Sequence, residues 1–431
     1  MTKTRDKYEW RLGEPPPFID PHSEVKHEIV TGYLSRYIEV LLGNPNIENL
    51  VLSVVDGFAG GGEYRTINGG DYRSGSPLLA IQTVIDTEAR LNIGRRKPRS
   101  VLAEYFFVEM SKSNFDYLEA TLSARYGRGR LENDIQIKKA PFQTIAEPII
   151  SRIQARRGGE RALFLLDQYA YDQVPMSLLR KIFQCLRGAE VLLTFNVDAL
   201  ITFLSDHEQC QKKLEEIGLA RYIDWSSLPK LKGTGPLWKT QIQRQLAHGI
   251  IAESGARFAT IFYITPAASS WSYWLVHLSN TYRARDVMME LHWMHGNHFS
   301  HFLEPDLYVL GHHAGIGTRL RDQNDMDFGV AFEFDAVAKK QCCDGLGRKL
   351  VSKIFDTDGV RFGQLLKSVG NQTPATANMI RQSLDPAIRA RDLEVISERG
   401  VRRAQGSSLR ESDVLRPRQR SMIFLPMGPR R

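Results

Sequence analysis

Apolar positions along the chain follow two spacings, one typical of buried strands and the other of amphipathic helices. Seven short apolar runs predict strands, and the stretches between the first five runs carry apolar residues at helical spacing. The predicted strands are residues 50–55, 103–109, 134–139, 162–167, 190–196, 258–264 and 272–278. The predicted helices are residues 23–42, 76–91, 113–125, 142–156 and 175–187. This alternation predicts βαβ units built on a parallel sheet.

The last two predicted strands break this rhythm. Only residues 265–271, TPAASSW, separate them, which is too short for a crossover helix, so the two strands should pair antiparallel. Five alternating units followed by an antiparallel hairpin predict an α/β fold with a doubly wound seven-stranded sheet of the S-adenosylmethionine-dependent methyltransferase type. Residues 198–256 interrupt the pattern with a helical insertion, and insertions beyond the carboxyl ends of strands usually line the ligand site.

The 431 residues are too many for one hydrophobic core, so we expect more than one domain. Residues 1–22 are polar and proline-rich and predict an N-terminal arm, and residues 23–300 contain the sheet domain. We predict a connecting segment at residues 301–344. Residues 345–431 have the order helix, short strand with helix, helix and hairpin, which predicts a winged-helix-like unit whose recognition helix starts at Thr373-Pro374.

Positive charge is concentrated at the C-terminal end. The net charge is +8; residues 1–340 contain 40 basic and 40 acidic residues, and residues 341–431 contain 17 and 9, so the whole excess lies there. A basic end on a neutral body suggests a nucleic-acid partner, DNA or RNA, and a solvated tail is the alternative that stays open. The candidate nucleic-acid-binding residues are Arg381, Arg389, Arg391, Arg402 and Arg403.

Several function classes lack support in the sequence. No apolar stretch is long enough to predict a membrane span, and the N-terminal residues lack the apolar run of an export signal. Four cysteines without a CxxC pair are typical of a reducing cytoplasm. Phosphate-binding Walker loops, HExxH and GxSxG motifs are absent from the sequence.

A glycine-rich turn follows the first predicted strand, at the place where doubly wound sheets bind ligands. The strand ends at Asp56 and continues as GFAGGG; glycines let the main chain approach a ligand closely. Glu109 ends the second strand, where a carboxylate can accept both hydroxyls of a ribose. An NAD site would open directly into a helix, whereas here about a dozen residues intervene before Ser76-Pro77, so S-adenosylmethionine is the better fit. The candidate cofactor-binding residues are Asp56, Gly57, Phe58, Ala59, Gly60, Gly61, Glu109 and Phe142, the last facing the adenine.

The fourth strand ends in a third candidate group. Asp167 lies at its carboxyl end, with Tyr169 and Tyr171 just beyond. In methyltransferases that act on exocyclic amines, a carboxylate accepts the amine hydrogens and an aromatic ring stacks on the base. We therefore take Asp167, Tyr169 and Tyr171 as candidate catalytic residues. A structural aspartate that caps the next turn is the alternative.

Four sequence blocks resemble, in order, those of the three-Cys-motif partner proteins, the TcmP family. They are SVVDGFAGGGEY, FFVEMSKSNFDYLEATL, LFLLDQYAYDQVPMSLLRKI and FYITPAASSWSYWLVHLSN, and the resemblance covers about residues 24–295. It implies a methyltransferase-like fold and a partner protein with a three-cysteine motif resembling radical-S-adenosylmethionine enzymes. The sequence departs from the family's Asp-Pro-Tyr/Phe-Gly pattern, because Gln168 and Ala170 replace the proline and the glycine.

Two functional hypotheses follow from these features. The first is an S-adenosylmethionine-binding, methyltransferase-like protein that acts on or near nucleic acid, in a phage-defence or mobile-element system. The second is a catalytically inactive scaffold that binds nucleic acid and the three-Cys-motif partner. Histidines recur at positions 292, 295, 298 and 301, but Gly296-Asn297 should end the helix between them, so no metal is expected.

Overall fold

The computed structural model of the chain describes residues 8–66, 70–205, 207–232, 237–264, 273–294, 334–357 and 359–418. These residues divide into two units, the first ending at Asp335 and the second beginning at Ala336. The predicted strand at 272–278 is described from Tyr273 onward. Three of the four regularly spaced histidines, at 295, 298 and 301, lie outside the described residues, and His292 is buried in a helix.

Nine strands are described in the first unit. In chain order they are β1 (Asn49–Asp56), β2 (Glu63–Arg65), β3 (Tyr72–Ser74), β4 (Ser100–Glu109), β5 (Ile135–Lys139), β6 (Arg161–Leu166), β7 (Gly188–Phe195), β8 (Phe258–Ile264) and β9 (Tyr273–Ser279). Seven form one sheet in the order β5-β4-β1-β6-β7-β9-β8, and β2 and β3 form a separate hairpin. Strands β1 and β4 to β7 are parallel, whereas β9 is antiparallel to both of its neighbours. The predicted α/β fold with a methyltransferase-type sheet is confirmed by this order and these directions.

Helices of the first unit connect these strands and cover the sheet. They are α1 (Pro21–Leu42), α2 (Ser76–Asn92), α3 (Lys112–Tyr126), α4 (Arg128–Asn133), α5 (Phe142–Ala155), α6 (Met176–Cys185), α7 (Val197–Phe203), α8 (Glu208–Glu216), α9 (Leu228–Lys232), α10 (Leu237–Glu253) and α11 (Tyr282–Met294). The insertion predicted at 198–256 is helical and contains α7 to α10. Strands β1, β4, β6 and β7 are almost wholly buried where they pass through the middle of the sheet, as their apolar runs require.

The order of the sheet creates a switch point. From β1 the chain moves to β4 and β5 on one side, then returns to β6 and β7 on the other side of β1. Connections therefore leave in opposite directions from the carboxyl ends of β1 and β6, and ligands of doubly wound folds bind in the crevice that this opens.

The described part of the second unit contains three helices and a small antiparallel sheet. Its elements are α12 (Ala336–Asp356), β10 (Val360–Arg361), α13 (Phe362–Val369), α14 (Ala377–Arg389), β11 (Leu393–Ile396), β12 (Arg402–Arg403) and β13 (Val414–Pro417), with the strands in the order β10-β13-β11-β12. Helix α12 starts at Ala336, inside the segment predicted as a connection. Among the described residues of both units, no helix has the length and apolar character that a bilayer crossing needs.

The cap of α14 differs from the prediction. Thr376 precedes the helix, and its hydroxyl accepts a hydrogen bond from the Met379 N–H at 3.2 Å. Thr373, which the sequence predicted to begin the helix, is fully buried, and its hydroxyl accepts the Ala375 N–H at 3.1 Å. It therefore stabilises the turn before the helix instead.

Candidate functional site

Three predicted acidic residues meet at the carboxyl edge of the sheet. Asp56 is the last residue of β1, Glu109 is the last residue of β4, and Asp167 directly follows β6. Strands β4, β1 and β6 are adjacent, so their ends bring the three carboxyl groups together. Tyr64 of β2 lies within electrostatic reach of all three, and these charges add to the effect of burial in raising the pKa of its hydroxyl.

The backbone of the glycine turn is bonded within the protein. The N–H groups of four successive residues, Gly57 to Gly60, donate to acceptors of the chain itself. They bond to Leu165 O (2.9 Å), Asp56 Oδ1 (3.1 Å), Val108 O (3.0 Å) and Glu109 Oε2 (2.9 Å), in that order. The prediction that bare backbone in this turn donates to a ligand is therefore wrong for these four groups in this conformation. They close the turn onto the ends of β6 and β4.

Because its glycines have no side chains, the turn instead packs closely against neighbouring residues. A Cβ on Gly57 would lie 2.8 Å from Leu166 Cδ2 and 3.0 Å from Phe142 Cγ. A Cβ on Gly61 would overlap the indole of Trp10, and one on Gly60, where φ is +60°, would lie 3.0 Å from the same ring. The glycine cluster thus accommodates a tryptophan of the chain's own N-terminal arm.

Several contacts fix that arm over the turn. The Trp10 N–H donates to Asn114 Oδ1 at 3.1 Å, and its indole N–H donates to Glu63 O at 2.6 Å. The Trp10 and Tyr64 rings meet edge to face at 5.2 Å, and the Trp10 side chain is only 2% exposed. Trp10 of the predicted arm therefore covers the glycine turn, which the sequence did not indicate because its single signal was one tryptophan in a polar stretch.

Glu109 faces the glycine turn, as predicted. Its Oε1 accepts the Ser111 N–H at 2.7 Å and its Oε2 accepts the Gly60 N–H. Burial raises the pKa of this carboxyl, although the N–H groups of Ser111 and Gly60 act in the opposite direction. The Asn114 side chain and the Met110 N–H also act to lower this pKa, so donors of the protein itself surround the Glu109 carboxylate in this conformation.

Asp56 is the most deeply buried of the three acids. Its side chain is 1% exposed, and burial raises its pKa to about 7, against the opposing effects of Ser76 and the Phe58 N–H. Ser76 is close enough to lower this pKa, yet within the part of the chain that the structure describes Oδ2 lacks a well-formed hydrogen bond. Asp56 is therefore poised to gain or lose a proton near neutral pH.

Asp167 is paired with a cation that the sequence reasoning missed. Lys26 Nζ of α1 lies 2.6 Å from both carboxylate oxygens. Desolvation acts to raise the pKa of Asp167, but its side chain is 46% exposed, and Lys26 and the Thr194 hydroxyl outweigh this effect, so the pKa is lowered. The neighbouring His27 has its pKa lowered to about 4 by burial and by Lys26. Nothing in the local sequence could reveal Lys26, since 141 residues separate it from Asp167.

The two predicted tyrosines lie on a turn beyond β6. Tyr169 is 80% exposed, and the Tyr171 ring lies 6.4 Å from that of Phe195. Gln168 shapes this turn: it is buried, and its side-chain oxygen accepts the N–H groups of Gln173 (3.1 Å) and Val174 (3.0 Å). The glutamine at the position of the family's proline thus stabilises the turn by hydrogen bonds.

Phe142 is not placed as predicted. It begins α5 with 3% of its side chain exposed, packed beneath Gly57 and 6.2 Å from the Phe58 ring. Because its faces are covered by the protein, it cannot stack on an adenine in this conformation. Phe58 is half-buried and is the more accessible ring.

The five predicted nucleic-acid-binding arginines of the second unit fall into two groups. Arg381 donates to Leu409 O at 3.1 Å, and Arg403 forms a two-bond ion pair with the fully buried Asp413, so both hold the fold together. The other three are exposed: Arg389 pairs with Asp385, Arg402 lies 3.5 Å from Glu394, and Arg391 has a φ of +60°.

One cavity of the first unit lies away from the switch point. A cavity of about 380 Å³ lies near the start of β4, lined by Glu104, Asp134, Arg152 and Arg156 among others, away from the carboxyl ends of the strands. The described residues contain no group of three or more histidine, cysteine or acidic side chains arranged to hold a metal ion. The described groups that meet at the switch point are the three acids, Lys26 and the surrounding rings.

Comparisons with known proteins find two solved structures of low similarity. No protein-family model and no curated protein matches the sequence. The crystal structure of DszA carbon methyltransferase is similar with 11% identity and a TM-score of 0.32, over 61% of this chain and 55% of that one, so the chain spans about half of that protein's length. Loganic acid methyltransferase with SAH is similar with 10% identity and a TM-score of 0.22, over 63% of this chain and 83% of that one. The TcmP family itself is not shown, and the methyltransferase-like fold is established by the strand order and directions.

Proposed function

We propose that this chain is a cytoplasmic, S-adenosylmethionine-binding, methyltransferase-like protein that acts on or near nucleic acid. The observation that carries the proposal is the position of Glu109, which ends the strand beside β1 and bonds to the glycine turn at Gly60. A carboxylate there is suited to the two hydroxyls of a ribose. When bound, S-adenosylmethionine would supply an electrophilic methyl group.

The charge of the crevice supports the same ligand. Asp20, Asp56, Glu109 and Asp167 all act on Tyr64, and Lys26 is the cation paired with one of them. A surplus of carboxyl groups favours a positively charged ligand, and a sulfonium carries such a charge. Phe58 offers a half-buried ring for the adenine in place of Phe142.

The residues proposed to hold the methyl acceptor are Asp167, Tyr169 and Tyr171. The charged Lys26 ammonium lies 2.6 Å from both oxygens of the Asp167 carboxylate, the atoms that would accept the hydrogens of an acceptor amine. An acceptor amine would have to displace Lys26 to take the same position. The exposed ring of Tyr169 would be free to stack on a planar base.

The nucleic-acid part of the proposal is supported by the charge excess and the winged-helix-like element order of the second unit. Its pairing with a three-Cys-motif protein comes from the sequence resemblance alone, and its placement in a phage-defence or mobile-element system is a further part of the hypothesis.

Calorimetric titration of S-adenosylmethionine into the purified chain tests the cofactor. We expect saturable heat from the wild type and from Glu119→Ala, an exposed glutamate on α3, and at least tenfold weaker binding by Glu109→Ala. Thermal unfolding of each variant checks that the fold is kept. Equal heats from Glu109→Ala and the wild type would remove the cofactor assignment.

The second candidate is a catalytically inactive scaffold, and two observations favour it. Trp10 covers Gly60 and Gly61, and Lys26 neutralises Asp167, so side chains of the protein occupy both sides of the proposed site. Transfer of tritiated methyl groups to DNA, RNA and protein separates the candidates. Incorporation that Asp167→Ala abolishes supports the enzyme, whereas nucleic-acid binding without transfer supports the scaffold.

A further inference from the structure

Helix α14 presents a polar stripe to solvent. Asn378 and Gln382, four residues apart and therefore neighbours on one face, are exposed, and the ion pair of Asp385 with Arg389 continues the same face. The opposite face carries Ile380, Leu384 and Ile388, all buried in the core of the second unit, where α14 packs against α12. The stripe is thus available while the helix is firmly held.

The segment that follows the β11–β12 hairpin is fixed beside that helix. Asp385 Oδ1 accepts the Gly406 N–H at 2.7 Å, and Arg381 Nε donates to Leu409 O, so residues 406–409 lie along the edge of the stripe. Strand β12 leads directly into this segment. The tip of the β11–β12 hairpin, closed by a hydrogen bond from the Ser397 N–H to Val401 O, bears the exposed side chain of Arg399, and the exposed Arg402, 3.5 Å from Glu394, begins β12.

The chemistry of these groups matches duplex DNA. Asparagine and glutamine amides can bond to two atoms of an adenine edge in the major groove, which admits an α-helix. Arginines outside the groove contact phosphates, and the excess of 17 basic over 9 acidic residues in 341–431 supplies the complementary charge. The major groove of duplex RNA is too narrow for a helix to read.

We propose that α14 reads base pairs in the major groove of duplex DNA through Asn378 and Gln382, while Arg399 and Arg402 contact the flanking phosphates. This inference rests on the nucleic-acid part of the proposed function. The residues now proposed to contact DNA face solvent, and Arg381 and Arg403, which hold the unit together, are no longer among them.

The test uses the full chain and a randomised duplex DNA library. A duplex selected from the library and a scrambled control are then compared by fluorescence anisotropy over a range of salt concentrations. We expect Asn378→Ala and Gln382→Ala each to reduce the preference for the selected duplex by about tenfold, with the salt dependence unchanged. We expect Arg399→Ala and Arg402→Ala to weaken binding to both duplexes and to lower the slope of log K against log salt by about 1 each.

Two matched variants act as controls: Gln364→Ala on α13 and Arg348→Ala on α12, both exposed in the same unit. They should leave preference and salt slope as in the wild type. Tighter binding to single strands or to duplex RNA, or a preference that survives both α14 variants, overturns the proposal. S-adenosylmethionine titration of the same samples is independent of this result, so failure of the cofactor assignment would be seen separately.

Discussion

Two titratable residues beside the switch point have pKa values displaced in opposite directions. Burial raises the pKa of Asp56 to about 7 from an ordinary value of 3.8, and burial lowers that of His27 to about 4 from 6.5. Between about pH 4 and pH 6.5 the folded chain keeps a proton on Asp56 that the unfolded chain releases. Over the same range the unfolded chain binds a proton at His27 that the folded chain excludes.

These two effects have opposite signs in the free energy of unfolding. As the pH falls through this window, Asp56 adds stability and His27 removes it, each by about 1.4 kcal/mol per pH unit, so in the wild type they offset each other. Single substitutions should therefore reveal how each group alone makes the free energy of unfolding depend on pH. Relative to the wild type, His27→Gln should gain stability as the pH falls from 6.5 towards 4, and Asp56→Asn should lose it.

Urea denaturation at half-unit pH steps measures both slopes. Asn at position 56 keeps an acceptor for the Phe58 N–H, so the turn itself is retained. His207→Gln, at an exposed position before α8, controls for the loss of a histidine. Parallel pH profiles for the wild type and the two variants would show that burial does not shift these groups.

Helix α1 is the element that gives the site its unexpected cation. Tyr33 and Tyr37 of this helix are buried near Glu190 on β7; the Tyr33 hydroxyl donates to Glu190, whose carboxylate also lies 3.4 Å from His277 Nε2 of β9. This polar cluster fixes the helix against the sheet. Lys26, two turns earlier, is consequently held over Asp167.

The N-terminal arm and the glycine turn act together at this scale. Gly61→Ala would place a methyl group inside the indole of Trp10, so the ring must move away from the glycine turn. We expect a loss of about 1–3 kcal/mol in the free energy of unfolding, as overpacked sites show, and a red shift of tryptophan emission. Urea denaturation followed by fluorescence measures both.

Gly129→Ala is the matched control, because a Cβ at Gly129 meets no atom within 4 Å. It should leave stability and emission close to those of the wild type. If Gly61→Ala behaved like Gly129→Ala, Trp10 would not lie on the turn. If Gly61→Ala displaces Trp10, a lower affinity for S-adenosylmethionine would show that Trp10 completes the site, and a higher affinity would show that Trp10 blocks it.

The whole molecule separates its two proposed activities between two units. The acids, the glycine turn and Lys26 belong to the first unit, and the basic excess belongs to the second. A chain that ends at Asp335 should therefore keep Glu109-dependent S-adenosylmethionine binding and lose its salt-dependent affinity for DNA. Calorimetry and anisotropy on that chain, with circular dichroism to check its fold, measure the two properties. Full DNA affinity in the shortened chain would place the polyanion contact in the first unit.

Local pattern was sufficient for the fold and for part of the site. The apolar runs and the short TPAASSW link determined the strands, their directions and the methyltransferase-type sheet, because burial of alternating elements permits few arrangements. The same pattern placed Asp56, Glu109 and Asp167 at strand ends, and parallel neighbouring strands necessarily bring such ends together.

Only the tertiary structure decided what those groups contact. Trp10 on the glycine turn, Lys26 on Asp167 and the burial of Phe142 each join segments far apart in the chain, and no local pattern encodes such a pairing. Arg381 and Arg403 likewise look like free cations in the sequence but are held by acceptors supplied by the fold. Sequence spacing determines which face or strand end a residue occupies, whereas packing in three dimensions determines its partners, its exposure and hence its charge.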